Sequence, residues 1–230
     1  MSGDDGVSVG IVLPVYNEAV ILDRALDHLA RIAESCPVVV VDGGSIDDST
    51  AIARRLFRTE VCTEPNRGLQ MNAGARCLGT DVLLFLHADS QLPQEFLTCI
   101  HKAVADPSVA GGCFQLRFDY AHPMLRFYSW CATHPGRFFH FGDQGFFVRR
   151  EIFRKMGGYR QLPFLEDVDF LRRLRRYGRF VVAPAPIVTS ARRFLRRGVV
   201  RQQLVNILVV ALFELGVSPH RLVRLYPPIR

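Results

Sequence analysis

Three short apolar runs dominate the first ninety residues of the chain, and each is followed by polar residues. The runs cover residues 9–13, 38–41 and 82–86. None of them has a polar face, which is typical of strands buried on both sides of a parallel sheet. Between the runs, apolar residues recur at helical spacing, most clearly in residues 21–32. This alternation predicts an α/β fold, a doubly wound, mostly parallel sheet flanked by helices with right-handed crossovers.

Turn and cap signals set the expected limits of these elements. Because proline cannot donate to a central ladder, Pro14 predicts the end of the first strand. Residues 45–48 have a capping-box pattern and predict a helix that runs to about residue 57. A short strand at 60–63 and a helix at 69–78 then complete the first half.

The regular alternation breaks after a helix expected at residues 93–104. Further strands are expected at 111–118, 146–148 and 180–182. Further helices are expected at 122–131 and 199–215, together with one that ends near residue 156 and one that starts at about residue 165. We interpret residues 1–230 as one domain made of two halves, 7–90 and 91–190. A basic and apolar helical extension follows at 191–230.

Composition narrows the class of protein. Hydrophobic residues make up 49% and charged residues 22%, which is typical of a globular chain. A net charge of +7 favours an anionic partner such as phosphates, a lipid surface or nucleic acid. Nucleic acid is disfavoured, because no zinc-finger, helix-turn-helix or RNA-binding pattern accompanies the charge. The six cysteines form no CxxC pair and no apolar leader precedes the first strand, which fits a reducing cytoplasm.

Polar residues collect where the predicted strands end. Asn17 and Glu18 follow the first strand, Asp42 ends the second, and His87 and Asp89 follow the third apolar run. Ligands bind beyond the carboxyl ends of such strands, and Asp89 could bind Mg²⁺ or Mn²⁺ together with a diphosphate. An isolated Asp at this position could equally cap the next helix. No GxGxxG follows the first strand and no GxxxxGK[ST] occurs, so dinucleotide-binding dehydrogenases and P-loop proteins are disfavoured.

Three carboxylates open a predicted helix at residues 166–169. Acidic residues at a helix start are stabilised by the macrodipole, so this cluster has a complete structural explanation as well as a catalytic one.

The order of these motifs resembles family 2 glycosyltransferases of the GT-A fold. The resemblance covers roughly residues 9–178 and rests on five short segments: Pro14-Val15-Tyr16-Asn17-Glu18, Val41 to Asp47, Asn66-Arg67-Gly68, His87-Ala88-Asp89 and Glu166-Asp167. Residues 68–74 and Gly142-Asp143-Gln144-Gly145 resemble a bacterial subgroup described as associated with radical-SAM or selenium-domain proteins.

The resemblance implies roles for matching residues in the donor half. It implies that the nucleotide sugar is bound by Pro14, Tyr16, Glu18, Asp42, Arg67, Ala88 and Asp89. Asp89 matches the last acid of the DxD motif and is expected to bind a divalent metal, Mg²⁺ or Mn²⁺, with His87 as a second candidate ligand. Apart from the resemblance, Arg192 and Arg193 are candidates to bind the diphosphate, because guanidinium suits phosphate geometry and both follow a strand-like segment. The alternative is that they form a solvated helix start.

In the second half, Asp167 matches the base that takes the proton of the acceptor. Candidate acceptor-binding residues are Gly112, Asp143, Gln144 and Glu166. The first acid of DxD is His87 here, and Gly43 replaces a second Asp often seen after Asp42. The Gln-x-x-Arg-Trp pattern of processive members is missing, which favours a single transfer.

The resulting hypothesis is an inverting, metal-dependent hexosyltransferase that uses a UDP- or GDP-sugar and a small-molecule or lipid acceptor. A nucleotidyltransferase of related fold and a non-catalytic module that binds membrane surfaces remain as alternatives. Leu204, Ile207, Leu208, Ala211, Leu212 and Leu215 form one helical face next to basic residues. Burial of this face against the domain is favoured over membrane contact, so we expect a cytoplasmic protein, with peripheral attachment as the alternative.

Overall fold

A computed structural model describes residues 6–134 and 140–226. Residues 1–5, 135–139 and 227–230 lie outside the described parts. The strands are β1 Val9–Val15, β2 Val38–Asp42, β3 Arg58–Val61, β4 Val82–Phe85, β5 Ser90–Gln91, β6 Val109–Phe118, β7 Phe146–Arg149 and β8 Arg179–Thr189. The helices are α1 Ala19–Ile32, α2 Ser49–Leu56, α3 Arg67–Arg76, α4 Phe96–Val104, α5 Pro123–Cys131, α6 Arg150–Lys155, α7 Glu166–Leu174, α8 Arg192–Arg197, α9 Val199–Glu214 and α10 Pro219–Leu222.

One sheet runs through the described residues in the order β3-β2-β1-β4-β7-β6-β8-β5. The first four strands are parallel to one another, β7 is antiparallel to both β4 and β6, and β6 is parallel to β8. The expected mostly parallel, doubly wound sheet is therefore confirmed. Because β7 enters the sheet antiparallel, its first residue Phe146 lies beside Phe85, the last residue of β4. The loop before β7 therefore lies at the same sheet edge as the loop after β4.

Apolar side chains fill both faces of this sheet. On one face α1 and α4 supply Leu22, Leu26 and Phe96 to the buried core. On the other, α3, α6 and α7 pack around Met71 and Phe170. With both faces covered, the central strands need no polar face, which explains their continuous apolar runs.

The first strand does not end at Pro14, and that prediction is wrong. Pro14 is buried inside β1 and lies opposite Val41 of β2. The backbone hydrogen bonds of Ile11 and Val15 point to the β2 side, whereas the carbonyl of Val12 accepts from the amide of Leu86 on the β4 side. Because successive residues of a strand point their backbone groups to alternate sides, the nitrogen of Pro14 faces the β4 side. It lies beyond the last residue of β4. The missing N–H therefore costs no ladder bond.

The expected capping box at residues 45–48 does not form. Helix α2 begins at Ser49, and the Ser45 hydroxyl accepts from the amide of Asn17 instead. The side chain of Asp47 accepts from the amides of Ser49 and Ala19. These polar groups therefore tie the loop after β1 to the loop after β2, which a local pattern could not reveal.

The expected burial of the outer face of α9 is also wrong. Of the predicted face, Leu204, Ile207, Leu208 and Leu215 are each at least half exposed, and Ala211 is exposed as well. Leu212 is the exception and packs against the domain beside Val209, Val210 and Phe213. Among the helices of residues 6–134 and 140–226, none is long and apolar enough to cross a bilayer.

Candidate active site

A cavity of about 210 Å³ lies at the sheet edge where β4 and β8 end and the loop into β7 begins. Its polar lining comes from Glu18, Arg67, His87, Asp89, Asp143, Glu166, Asp167, Thr189, Ser190, Arg192, Arg193 and Asn206. Its apolar lining comes from Phe118, Tyr128, Phe141, Phe164, Leu165, Phe194, Val209, Val210 and Tyr226. Charged groups therefore share one space with aromatic and aliphatic side chains.

His87 and Asp89 both line the cavity. The chain turns here, and the carbonyl of Asp89 accepts from the amide of Ser190 at 3.1 Å. Gly142 packs so closely on His87 that an added Cβ would lie 2.8 Å from two ring atoms. Burial, together with the positive charge of Arg67, lowers the pKa of His87 to about 3, so its ring is neutral at pH 7.

The residues at this position fit a metal only in part. Across the described ranges, no group of three or more His, Cys, Asp or Glu side chains converges as a complete metal site. Asp89 offers a hard oxygen ligand, and the neutral ring of His87 has a nitrogen that can bind a divalent ion. A diphosphate on the donor would have to supply further oxygen ligands.

Helix α7 brings two acids to the cavity. Leu165, the residue before this helix, has a left-handed conformation with φ of 63°, and Glu166 and Asp167 in the first turn line the cavity. The carboxylate of Asp167 accepts from the amides of Gly142 at 2.8 Å and Val168 at 2.7 Å, which fixes its orientation. Burial raises the pKa of Asp167.

Glu166 is 5% exposed and has a single salt-bridge partner among the described residues, Arg67, at 3.9 Å. Burial and the neighbouring charge of Asp167 raise the pKa of Glu166 to about 7.

Asp143 is a third acid in the same cavity. Burial raises its pKa to about 7, and the charges of Asp167 and Asp89 add to this effect. Its Oδ1 is buried and has no hydrogen-bond partner within the described parts of the chain. Such an oxygen is satisfied when a ligand hydroxyl donates to it. Tyr128 lies across the same space, and burial raises its pKa well above the ordinary value.

Asp169 belongs to the scaffold and not to the cavity. It is 1% exposed and accepts from Arg173 at 2.7 Å and from Arg160 at 3.2 Å. Arg173 also donates to the carbonyls of Met156 and Gly158. The third acid of the cluster therefore joins α7 to the loop before it, and only Glu166 and Asp167 remain available to a ligand.

Three arginines line the cavity. Arg67 begins α3 and lies near Glu166, while Arg192 and Arg193 begin α8 just after β8 ends. Arg192 donates to both carboxylate oxygens of Glu18, at 3.0 and 3.2 Å. Arg193 lies over the ring of Tyr226 at 4.7 Å. The structure thus pairs the predicted diphosphate ligand Arg192 with the predicted nucleotide ligand Glu18.

Four predicted donor residues lie at the same sheet edge but outside the cavity lining: Pro14, Tyr16, Asp42 and Ala88. Asp42 is fully buried at the end of β2, and its Oδ1 accepts from the amides of Gly44 and Ser45. Its Oδ2 is buried and finds no hydrogen-bond partner in the described chain. An unpaired carboxylate oxygen at this edge can accept a bond from a ligand hydroxyl or base.

Two predicted acceptor residues are not brought into the cavity. Gly112 lies inside β6, where an added Cβ would be 2.4 Å from the carbonyl oxygen of Val181. Gln144 is completely buried, donates to the carbonyl of Phe114 and accepts from the amide of Phe141. Both residues are needed for close packing, so their position gives the acceptor role no support.

Several lining residues were not predicted from the sequence. Asn206, Val209 and Val210 come from α9, Tyr128 from α5, and Tyr226 from the end of the described chain. Gln202, fully buried one turn before Asn206, donates to Asn206 Oδ1 at 2.7 Å and so orients that amide. The spacing of the polar residues Gln202 and Asn206 within an apolar helix was the available signal.

The fold places the protein among the GT-A glycosyltransferase structures. It is similar to a mannosyltransferase from Pyrobaculum calidifontis solved with GDP-Man and Mn²⁺, with a TM-score of 0.68 at 20% identity over 94% of this chain and 67% of that one. It is also similar to TarS 1–349 from S. aureus in complex with UDP-GlcNAc, with a TM-score of 0.64 at 14% identity over 80% of this chain and 58% of that one.

Sequence comparison gives the family. The model for glycosyl transferase family 2 matches residues 10–165, and the chain therefore belongs to that family. A validoxylamine A glucosyltransferase from Streptomyces hygroscopicus subsp. jinggangensis is 30% identical over 131 residues, 51% of this chain and 31% of the relative. An uncharacterized protein from Mycobacterium tuberculosis is 31% identical over 108 residues, 44% of this chain and 34% of the relative. The matched segments thus span about a third of these relatives.

Proposed function

We propose that the protein is an inverting, metal-assisted glycosyltransferase that moves one hexosyl group from a nucleoside diphosphate sugar to an acceptor hydroxyl. The observation that carries this proposal is one cavity with two differently placed carboxylates. Asp89 lies after β4 among the cations, and Asp167 is fixed on α7 by backbone amides. Family membership supports a glycosyltransferase over the nucleotidyltransferase alternative.

The donor would bind at the carboxyl edge of the first four strands. The structurally similar proteins were solved with GDP-Man and UDP-GlcNAc, which supports a nucleotide sugar as donor. Arg67, Arg192 and Arg193 can neutralise a diphosphate, and Arg192 would exchange Glu18 for it. A divalent ion bound through Asp89 would stabilise the charge that develops on the leaving diphosphate.

Asp167 would act as the general base. It takes the proton of the acceptor hydroxyl while that oxygen attacks the anomeric carbon of the donor sugar. The new bond joins the acceptor oxygen to the anomeric carbon, and the bond from that carbon to the diphosphate breaks. Its raised pKa suits a proton acceptor, and the hydrogen bonds from Gly142 and Val168 hold it in one orientation.

Replacement of Asp167 tests the mechanism. With UDP-GlcNAc or GDP-Man as donor and water in place of the acceptor, Asp167→Asn should lower the release of nucleoside diphosphate at least about a hundredfold. Donor binding in titration calorimetry should stay nearly unchanged, because the base contacts the acceptor. The matched control is Asp27→Asn, which makes the same change on the exposed side of α1. Near wild-type release by Asp167→Asn would place the base elsewhere.

The finer resemblance to the radical-SAM or selenium-domain subgroup stays a prediction, as do the acceptor class and contact with a membrane.

A further inference from the structure

Helix α9 presents an apolar stripe to solvent along its whole length. Val200, Leu204, Ile207, Leu208 and Leu215 are between 50% and 82% exposed, and Ala211 is exposed between them. The spacing of three to four residues puts these side chains on one helical face. Contiguous exposed apolar surface of this kind marks an interaction site.

Two polar residues of α9 lie on its inner face. Gln202 is completely buried and Asn206 lines the cavity, while Leu204, Ile207 and Leu208 face outward. An ordinary surface helix has the opposite arrangement, with its polar face in solvent. The outer face of α9 is therefore built for an apolar or interfacial environment.

A second helix adds aromatic side chains to this region. Helix α5 packs next to α9 and turns Leu125 and Tyr128 inward. Phe127 and Trp130 are 62% and 60% exposed, and their ring centroids lie 5.9 Å apart. Exposed tryptophan beside exposed apolar residues is typical of proteins that lie at a membrane–water interface.

The charge of the chain is concentrated in the same segment. Residues 191–230 contain eight arginines and one acidic residue, so their net charge of +7 equals that of the whole chain. Arg196 and Arg201 are exposed near the start of the stripe, and the single acid, Glu214, lies at its other end. A basic flank beside an apolar helical face suits an anionic lipid surface.

We infer that the outer face of α9, together with Phe127 and Trp130 of α5, binds the surface of an anionic membrane. The helix would lie in the plane of the interface, with its leucines among the acyl chains and its arginines at the phosphates. A second copy of the chain fits less well, because a symmetric contact through α9 would bring two segments of net charge +7 together. The inference does not depend on the proposed transfer reaction.

The only tryptophan of the chain, Trp130, reports directly on this surface. Adding vesicles of phosphatidylcholine mixed with phosphatidylglycerol should shift its emission to the blue and protect it from iodide quenching. Vesicles of phosphatidylcholine alone should give a much smaller effect, because they lack the anionic headgroups. Binding should weaken at high salt, since screening shortens the reach of the arginines. An unchanged emission spectrum with anionic vesicles would overturn the inference.

Substitutions distinguish binding through this surface from non-specific binding of the protein to lipid. Leu204→Glu and Ile207→Glu should each lower the vesicle partition coefficient in flotation by at least about tenfold, because each removes a half-exposed apolar side chain from the lipid contact. The matched control, Val20→Glu, makes the same kind of change at a residue 95% exposed on α1 and should bind like wild type.

Equal losses in all three variants would show that the binding is not specific to α9 and would count against the inference. Sedimentation without lipid tests the dimer: a concentration-dependent dimer that Leu204→Glu converts to monomer would assign the face to a second copy instead.

Discussion

Glu166 shows how a single residue of the site acts against the stability of the fold. It is buried next to Asp167, and Arg67 is its nearest cation. Burial and Asp167 raise its pKa from an ordinary 4.5 to about 7. The folded protein therefore holds a proton at Glu166 over a pH range in which the unfolded chain has released it. Since the folded state binds more protons, stability falls as the pH rises between about 4.5 and about 7.

Glu166→Gln should remove this cost. At pH 8 the free energy of unfolding of the variant should be higher than that of wild type by about 1–2 kcal/mol. The gain is kept small because the variant also loses the attraction between Arg67 and the ionised Glu166. At pH 4 the two proteins should be equally stable, because Glu166 is then protonated in both states. Urea denaturation across this pH range measures the difference. A constant difference at every pH would show that packing, and not ionisation, distinguishes the variant.

At the scale of the element, α7 is held in place by charged groups on its buried side. Asp169 accepts hydrogen bonds from Arg173 and Arg160, and Arg173 also donates to the carbonyls of Met156 and Gly158. This network fixes the first turn of the helix, which carries Asp167, the proposed base. The acids of one cluster therefore divide into a scaffold role for Asp169 and site roles for the other two.

Asp169→Asn should destabilise the fold without removing a cavity group. Loss of its charge leaves the largely buried guanidinium of Arg173 without compensation, which should cost about 2–4 kcal/mol in unfolding free energy. Donor affinity should stay close to wild type at a temperature where the variant is folded. The exposed control Asp27→Asn should change stability by less than about 0.5 kcal/mol. Wild-type stability of Asp169→Asn would contradict a scaffold role.

At the scale of the whole molecule, the cavity is closed by parts of the chain that are distant in sequence. Residues 10–165 match the family model, yet Asp167, Arg192, Asn206 and Tyr226 follow that segment and line the cavity. Helices α5 and α9 turn one face to the cavity and an apolar face to solvent. A ligand that binds at this centre should therefore stabilise the whole domain.

Thermal unfolding tests this coupling and the role of Asp89. UDP or GDP together with Mn²⁺, at about a hundred times the dissociation constant, should raise the melting temperature by roughly 5–10 °C. Asp89→Asn should lose the part of this shift that requires metal, since it keeps the size of the side chain and removes the ligand charge. Asp27→Asn should keep the full shift. If Asp89→Asn keeps the metal-dependent shift, Asp89 is not the ligand.

The sequence by itself determined the central strands and the edge of the site. Runs such as Val38–Asp42 need no partner information, because a strand buried on both faces is apolar at every position. The polar residues after these runs had to meet at one edge, because parallel strands end on the same side. His87 and Asp89 could therefore be chosen from their place after a strand, and the family resemblance implied Asp167. All three line one cavity.

Only the tertiary structure decided what each polar or apolar face contacts. Pro14 fits inside β1 because β4 ends beside it, which depends on strand order. Gln144 is a candidate acceptor residue in the sequence, but its hydrogen bond to the carbonyl of Phe114, which is distant in the chain, holds it buried in the scaffold. The leucines of α9 form the same pattern whether buried or exposed, since helical periodicity gives the face and not its neighbour. Which face a helix buries is set by packing between residues far apart in the chain, and that information is not local.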